Sequence, residues 1–309
     1  MAAFFTSLED LKGFLRMPPV VTIGNFDGVH AGHAELLRRT RERAAALGLP
    51  AVAITFDPHP GALFSPQPPL ALCSSGQKGE LLRDAGMDAV LFMPFTPELA
   101  AEKAERFCRR VLDEDLRAAE LFVGYDFRLG SDQKSGLDAF GKFRLTRVPA
   151  VLYGGEPVSS TRIRAALAAC RLDEANAMLG RPFAVRGEIV HGAGRGGALL
   201  GIPTANLAFG QGIATPAPAV YATSARLCDG GSGEPWHKSV TSFCKNPTFD
   251  GSALTMETHL LDFSADIYGR TLEVRFLGKM RGDRRFSSID GLIAQLHADI
   301  GQRRAMPQA

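Results

Sequence analysis

Two histidines three residues apart, His30 and His33, sit in the run Gly24-Asn25-Phe26-Asp27-Gly28-Val29-His30-Ala31-Gly32-His33. An apolar stretch precedes this run and a helical pattern follows it. At such a junction glycines let the backbone turn sharply and approach a ligand, while the free N–H groups and positive dipole of the helix start favour an anion. Imidazoles three apart project from one side, where they can donate to a phosphate and stabilise charge that builds up in its transition state. Taken alone, an H-x-G-H run is equally compatible with polar residues in a glycine-rich turn. A second concentration of chemistry is Ser159-Ser160-Thr161-Arg162-Ile163-Arg164. Its hydroxyls are good helix caps in their own right. Its arginines are less easily explained, because a cation at a helix start opposes the macrodipole, whereas a bound polyphosphate accepts both the arginine fork and the backbone N–H groups.

The third concentration lies further on. Gly192-Ala193-Gly194-Arg195-Gly196-Gly197 satisfies G-x-G-x-x-G. Pro203-Thr204 intervenes where a helix is required and no βαβ pattern surrounds the run, so it reads as a phosphate loop or a flexible connection between strands. In Gly201-Ile202-Pro203-Thr204-Ala205-Asn206, Thr204 and Asn206 are two apart in an extended segment and point the same way. Hard oxygen donors of that kind suit a magnesium ion carrying nucleotide phosphates, although a turn or cap explains an isolated Thr-x-Asn pair.

Short apolar runs at Val20–Ile23, Ala51–Phe56, Ala89–Met93 and Ala119–Val123 alternate with helical patterns at about 34–47, 76–86 and 97–113. This predicts a doubly wound α/β domain with a parallel sheet buried on both faces. Ligands of such sheets bind beyond the carboxyl ends of the strands. His30 and His33 follow the first strand, Asp57-Pro58-His59-Pro60 the second, and Gly124-Tyr125-Asp126-Phe127 the fourth. Asp126 is expected to orient a ribose or an amide, with a helix cap as the alternative. His59 is assigned no catalytic role. Leu172–Leu179 gives one more helix, and Gly180-Arg181-Pro182 stops it. A boundary there gives domains 1–181 and 182–309. Beyond it, strands at Phe183–Val190, Val220–Leu227, Lys238–Phe243, Leu254–Asp262 and Thr271–Leu277 predict an antiparallel β-barrel, closed by a helix from about Ser288 to Gln302.

Gly24 to His33 resembles the G-x-F-D-G-x-H-x-G-H signature of the nucleotidyltransferase superfamily, as carried by bacterial bifunctional riboflavin kinase/FAD synthetases. Ser159 to Arg164 resembles the I-S-S-T-x-I-R signature of the same superfamily. Gly201 to Asn206 resembles the G-F-P-T-A-N motif of riboflavin kinases, and Asn246-Pro247-Thr248-Phe249, Glu257 to Phe263, Tyr268-Gly269 and Arg281 extend the likeness over nearly the whole chain. The resemblance implies phosphorylation of riboflavin to FMN in the barrel and adenylylation of FMN to FAD in the α/β domain, with Mg-ATP used twice. It implies that His30, His33, Ser160 and Arg162 grip the ATP phosphates, aided by Gly24, Phe26, Asp27, Gly32, Asp126, Ser159 and Thr161. It implies that Gly192, Gly194 and Gly201 hold phosphate, Thr204 and Asn206 the metal, and Asn246 and Arg281 flavin, with Glu257 the base for the riboflavin 5′-hydroxyl. Four stretches depart from the pattern: Leu129-Gly130 stands where Phe-Gly is usual, Gly197-Ala198-Leu199-Leu200 lacks the loop arginine, Ala219-Val220-Tyr221 stands where Gly-Val-Tyr is common, and Phe243-Cys244-Lys245-Asn246-Pro247-Thr248 where I-G-x-N-P-T is usual.

At 309 residues the chain suits two domains, and a net charge of +2 gives no bulk electrostatic case for nucleic acid or an anionic membrane. Met1–Phe5 is too short for a signal sequence, and no apolar stretch reaches the roughly 20 residues that span a bilayer. Five scattered cysteines, odd in number and without C-x-x-C spacing, fit reduced thiols. A cytoplasmic enzyme acting on riboflavin, FMN and ATP is expected.

Overall fold

The computed structural model describes residues 2–131, 144–192, 201–228, 234–245, 254–284 and 286–308. They divide into two compact units, Met1–Ser160 and Thr161–Ala309. Gly194, Asn246 and the Gly197–Leu200 loop lie outside the described residues.

In the first unit six parallel strands form one sheet in the order β1-β4-β3-β2-β5-β6: β1 (Ala3–Phe5), β2 (Val20–Ile23), β3 (Ala51–Asp57), β4 (Ala89–Pro94), β5 (Glu120–Gly124) and β6 (Arg144–Val148). Helices α1 (Leu8–Phe14), α2 (Ala31–Leu47), α3 (Gly61–Phe64), α4 (Ser75–Asp84), α5 (Pro97–Ala101) and α6 (Ala104–Phe107) connect them. Alternate side chains of β2 enter different cores. Val21 and Ile23 pack with Leu11, Phe107 and Leu121, while Val20 packs with Leu36, Leu37 and Leu82. Each buried aliphatic contributes roughly 1.5–3 kcal/mol, so covering both faces explains why these strands read as unbroken apolar runs. This is the doubly wound sheet expected.

The segment expected as one helix at 97–113 is interrupted. Glu102 takes extended angles (φ −71°, ψ 133°) between α5 and α6, and its carboxylate, 9% exposed, binds Arg106 and Arg110. A π-helical stretch, Cys108–Asp115, then continues α6. A hairpin of β7 (Leu152–Tyr153) and β8 (Glu156–Pro157) is the last sheet element of the first unit.

Helix α7 (Ser160–Ala168) starts on the last residue of the first unit; the second unit continues with α8 (Leu172–Leu179) and holds a closed barrel in the order β10-β13-β12-β11-β14-β9. Its strands are β9 (Phe183–Val190), β10 (Ala205–Ala208), β11 (Ala219–Leu227), β12 (His237–Lys245), β13 (Leu254–Leu260) and β14 (Thr271–Arg281). All pairings are antiparallel, and closure leaves no free sheet edge. Phe183, Tyr221, Phe243, Met256 and Phe276 are buried apolar side chains of the wall. Four buried hydroxyls form a chain, Thr223 with Ser239 and Thr241 at 2.8 Å each and Thr241 with Thr258 at 2.9 Å, so no oxygen among them is left unsatisfied. The terminal helix, Ile289–Ala305, packs Ile300 against Val220, Val240 and Leu261. Its Arg303 is fully buried and donates to Thr223 O at 2.9 Å and Pro307 O at 2.9 Å. Among the described residues no helix is long and apolar enough to cross a membrane, and all five cysteines are free.

Candidate active sites

The first site forms where β2 gives way to α2. Phe26 (φ 47°), Gly28 (φ 70°) and Val29 (φ 39°) are all left-handed. For Phe and Val that conformation costs on the order of 1–3 kcal/mol each, and such strain clusters at functional sites. The fully buried Phe26 ring packs beneath the turn, 5.2 Å from the His33 ring. His30 is the N-cap of α2: its Nδ1 accepts from the His33 backbone N–H at 3.4 Å. An accepting Nδ1 puts the proton of a neutral His30 on Nε2, as a donor. The His30 ring lies over Gly32, where a Cβ would stand 3.2 Å from the imidazole, and stacks on His33 with centroids 3.7 Å apart.

His33 Nδ1 is enclosed and meets no hydrogen-bond partner among the described residues. Burial, then the charges of His30 and Lys78, hold its pKa well below the ordinary value of 6.5. Asp27 is nearly fully buried. Its carboxylate accepts from Leu72 N–H at 2.7 Å, and its carbonyl from the Ser160 hydroxyl at 3.0 Å. Asp27, expected as a phosphate contact, joins the turn to two other segments. Gly24 donates its N–H to Ile54 O at 3.1 Å, which keeps the strand end paired. Ser159 is half-buried and Thr161 exposed; Arg162, also half-buried, lies in the second unit.

Asp126 is exposed in the turn after β5. Arg147 of β6 holds that turn, donating through Nη1 to the carbonyls of Gly124, Tyr125 and Phe127 at 3.1–3.4 Å. Two features were not read from sequence. One is an aromatic lip after β3 and β4: Phe95 meets Phe56 at 5.4 Å and Phe64 at 6.0 Å, edge to face, and Phe64 is 69% exposed. The other is Lys78, only 6% exposed, whose Nζ donates to Phe56 O at 3.3 Å and Thr55 Oγ1 at 3.5 Å. The available signal was its spacing, because Lys78 falls four residues before the buried Leu82 on the inward stripe of α4.

The second site lies on the wall formed by β10 and β13. Asn206 and Glu257 are register partners. Glu257 and Asn206 are half-exposed while their strand neighbours Met256, Thr258, Ala205 and Leu207 are buried, so both side chains leave the barrel on one face. The Thr204 hydroxyl donates to Glu257 Oε2 at 3.5 Å. Burial pushes the Glu257 pKa up, and that hydroxyl opposes the rise. A Cβ on Gly192 would collide with the Asn206 amide, so only glycine lets β9 exit across this face. His191 stacks on Tyr268 at 3.8 Å beside it, and His259 Nδ1 pairs with Pro203 O at 2.8 Å. Gly201 is exposed and left-handed (φ 65°). Arg281 is not free: its guanidinium forks onto Asp299 of the terminal helix at 2.8–3.1 Å. The structure therefore brings Gly192, Thr204, Asn206 and Glu257 together and ties Arg281 to a helix.

Residues 16–162 match the FAD synthetase family and residues 179–306 the riboflavin kinase family. The bifunctional riboflavin kinase/FMN adenylyltransferase of Pseudomonas fluorescens is 36% identical over 294 residues, 93% of this chain and 92% of the relative. This chain belongs to the bifunctional riboflavin kinase/FMN adenylyltransferase family. The Escherichia coli K12 member is 37% identical over 289 residues, 91% of this chain and 90% of its own. A crystal structure from Streptococcus pneumoniae, described as a macrolide-efflux protein, shares the fold with a TM-score of 0.86, 30% identity and 99% coverage of both chains. Like its family, the protein is a riboflavin kinase and an FMN adenylyltransferase, with ATP the co-substrate of both activities.

Proposed function

We propose that the first unit makes FAD with His30, His33 and Ser160 on the ATP phosphates, and that the second makes FMN with Glu257 as base and Thr204 and Asn206 as ligands of magnesium. The observation that carries this division is the membership of the two constellations. The stacked histidines belong wholly to one unit, and Thr204, Asn206 and Glu257 wholly to the other.

In the second site the riboflavin 5′-hydroxyl attacks the γ-phosphorus, Glu257 takes its proton, and ADP leaves with the electron pair. The raised pKa of a half-buried carboxylate makes it a better proton acceptor at neutral pH. Magnesium fits this wall because the donors are hard oxygens on one face; such an ion keeps water and substrate phosphates as its remaining ligands. When bound it supplies neutralisation of the β- and γ-phosphate charge.

In the first site an oxygen of the FMN phosphate attacks the α-phosphorus of ATP. The bond to the bridging oxygen breaks, and pyrophosphate leaves with that electron pair. The protein contributes position and charge, through the N–H groups of the α2 start and the His30 Nε2 donor. Phe64, Phe95 and Phe56 offer the isoalloxazine ring an edge-to-face wall. Free thiols and the use of ATP fit the cytoplasm.

The test is chromatography of products from riboflavin, ATP and magnesium, and in parallel from FMN, ATP and magnesium. His33→Ala is expected to stop FAD formation and spare FMN formation, and Glu257→Ala to do the reverse. Equal loss of both activities in either folded variant overturns the assignment.

A further inference from the structure

Lys78 is a buried cation that feels the charges of Asp27 and Asp57 without an ion-pair contact to either. The backbone that carries it is firmly set: Ser74 and Gln77 form a capping box at the start of α4, and Lys78 N–H bonds Ser74 O at 2.8 Å. Its ammonium has three donors and meets two neutral oxygens, at 3.3 and 3.5 Å. Among the described residues it has no ion-pair partner within contact distance. A buried ammonium held directly by two neutral oxygens, with no carboxylate in contact, is costlier than an apolar side chain of similar length in a merely structural role.

Its place narrows what could repay that cost. Lys78 bonds the carbonyl of Phe56, the residue whose ring belongs to the aromatic lip, and it lies near enough for its charge to be felt at His33. It therefore stands between the histidines that face the nucleotide and the wall offered to the flavin. Burial lowers its pKa against the opposing influence of Cys73, Asp57 and Asp27, so an arriving dianion would strengthen the charged form.

We propose that Lys78 is the residue that binds the 5′-phosphate of FMN and holds it against the α-phosphorus of ATP. This rests on the adenylylation site described above. One ammonium donor turned to a non-bridging oxygen fixes the direction of the attacking oxygen. No proton needs to move, since the phosphate attacks as the dianion and the leaving pyrophosphate takes the electron pair. The seat recognises a phosphate monoester, so riboflavin, which lacks one, is not held there.

The test uses the full chain and three variants, Lys78→Met, Lys78→Gln and Lys78→Arg, with His33→Ala in the same series. FAD formation is followed at varied FMN and varied ATP, with riboflavin phosphorylation by the same sample as the control for folding. Lys78→Met is expected to raise KM for FMN at least tenfold, to leave KM for ATP within twofold and kinase activity unchanged, and to melt no lower than the parent without ligands. Lys78→Arg is expected to recover part of the FMN affinity; Lys78→Gln reads the same ratio if the methionine variant does not fold. An unchanged KM for FMN, or a loss confined to ATP, overturns the proposal while His33→Ala still abolishes FAD. Full FAD formation by His33→Ala instead overturns the site reading itself.

Discussion

The imidazole of His30 lies flat on that of His33, with centroids 3.7 Å apart and planes 16° from parallel. A cap and the third residue of one helix are thereby locked into a single unit in which a proton on His33 is disfavoured by burial first, then by His30 and Lys78. The consequence for stability has a definite sign. Below about pH 6.5 the unfolded chain protonates His33 and the folded chain does not, so stability falls as pH falls, until the depressed folded value is reached. Within that window this one group removes up to about 1.4 kcal/mol per pH unit. The difference in melting temperature between the parent and His33→Gln is expected to shrink between pH 7.5 and 5.5. A difference independent of pH would show that His33 titrates normally.

Gly192 and Asn206 make the sharpest steric prediction. A methyl group at 192 overlaps the Asn206 amide, so either β9 or the amide must move. Gly192→Ala is expected to lower riboflavin kinase kcat/KM at least tenfold, with FAD formation from FMN unchanged. Restoring room with Gly192→Ala/Asn206→Ser should recover fold stability but not the rate if Asn206 is an ion ligand. Normal kinase activity in the single variant would remove Asn206 from the site.

Glu257 and Thr204 predict a shift in a pH profile. The carboxyl titrates above its ordinary value of 4.5 because it is buried, and the Thr204 hydroxyl restrains that shift. Thr204→Val removes the restraint, so the acid limb of kinase kcat/KM should move to higher pH. Glu257→Gln should lose at least a hundredfold in kcat, in the range of general-base removal. A limb that stays in place in Thr204→Val would detach the hydroxyl from the base.

Much of this architecture is legible in local pattern, and the exceptions have physical causes. β2 and β9 were readable to the residue because each is a short run fixed by burial, on both faces or on alternate ones. β10 was read only as an extended segment, since Pro203 precedes it and it has four residues; it is a strand because β9 and β13 flank it. β1 and β6 were missed at the sheet margins, where three residues or a mostly exposed run carry little periodicity. The break at Glu102 has a tertiary side, since its carbonyl accepts from the Ser131 N–H at 2.9 Å, while its carboxylate holds Arg106 and Arg110 of the same segment. Histidines, glycines and the Thr-x-Asn pair announce their chemistry by type and spacing. Lys78 announces itself only by its spacing from Leu82 on the inward stripe of α4, and a lysine on an amphipathic helix ordinarily reads as solvated, so its burial is what marks it.

Arg281 and Asp299 carry the last prediction. Arg281 ends β14, and its guanidinium donates three bonds at 2.8–3.1 Å to a carboxylate only 3% exposed, which Gln295 also contacts at 2.9 Å. The terminal helix is thus fastened to the barrel by an ion pair closed to water on one side and partly open on the other. Breaking a buried pair by removing one member leaves the other uncompensated, at roughly 3–5 kcal/mol. Because Arg281 retains some access to solvent, Asp299→Ala is expected near the lower figure, about 3 kcal/mol by denaturant titration. The loss should be confined to the kinase unit, with FAD formation from FMN persisting at denaturant concentrations where riboflavin phosphorylation has failed. Asp299→Asn keeps the shape and one acceptor, and should lose less. If both variants unfold like the parent, the ion pair is dispensable and the helix is held by its other contacts, through Ile300, Arg303 and Arg304.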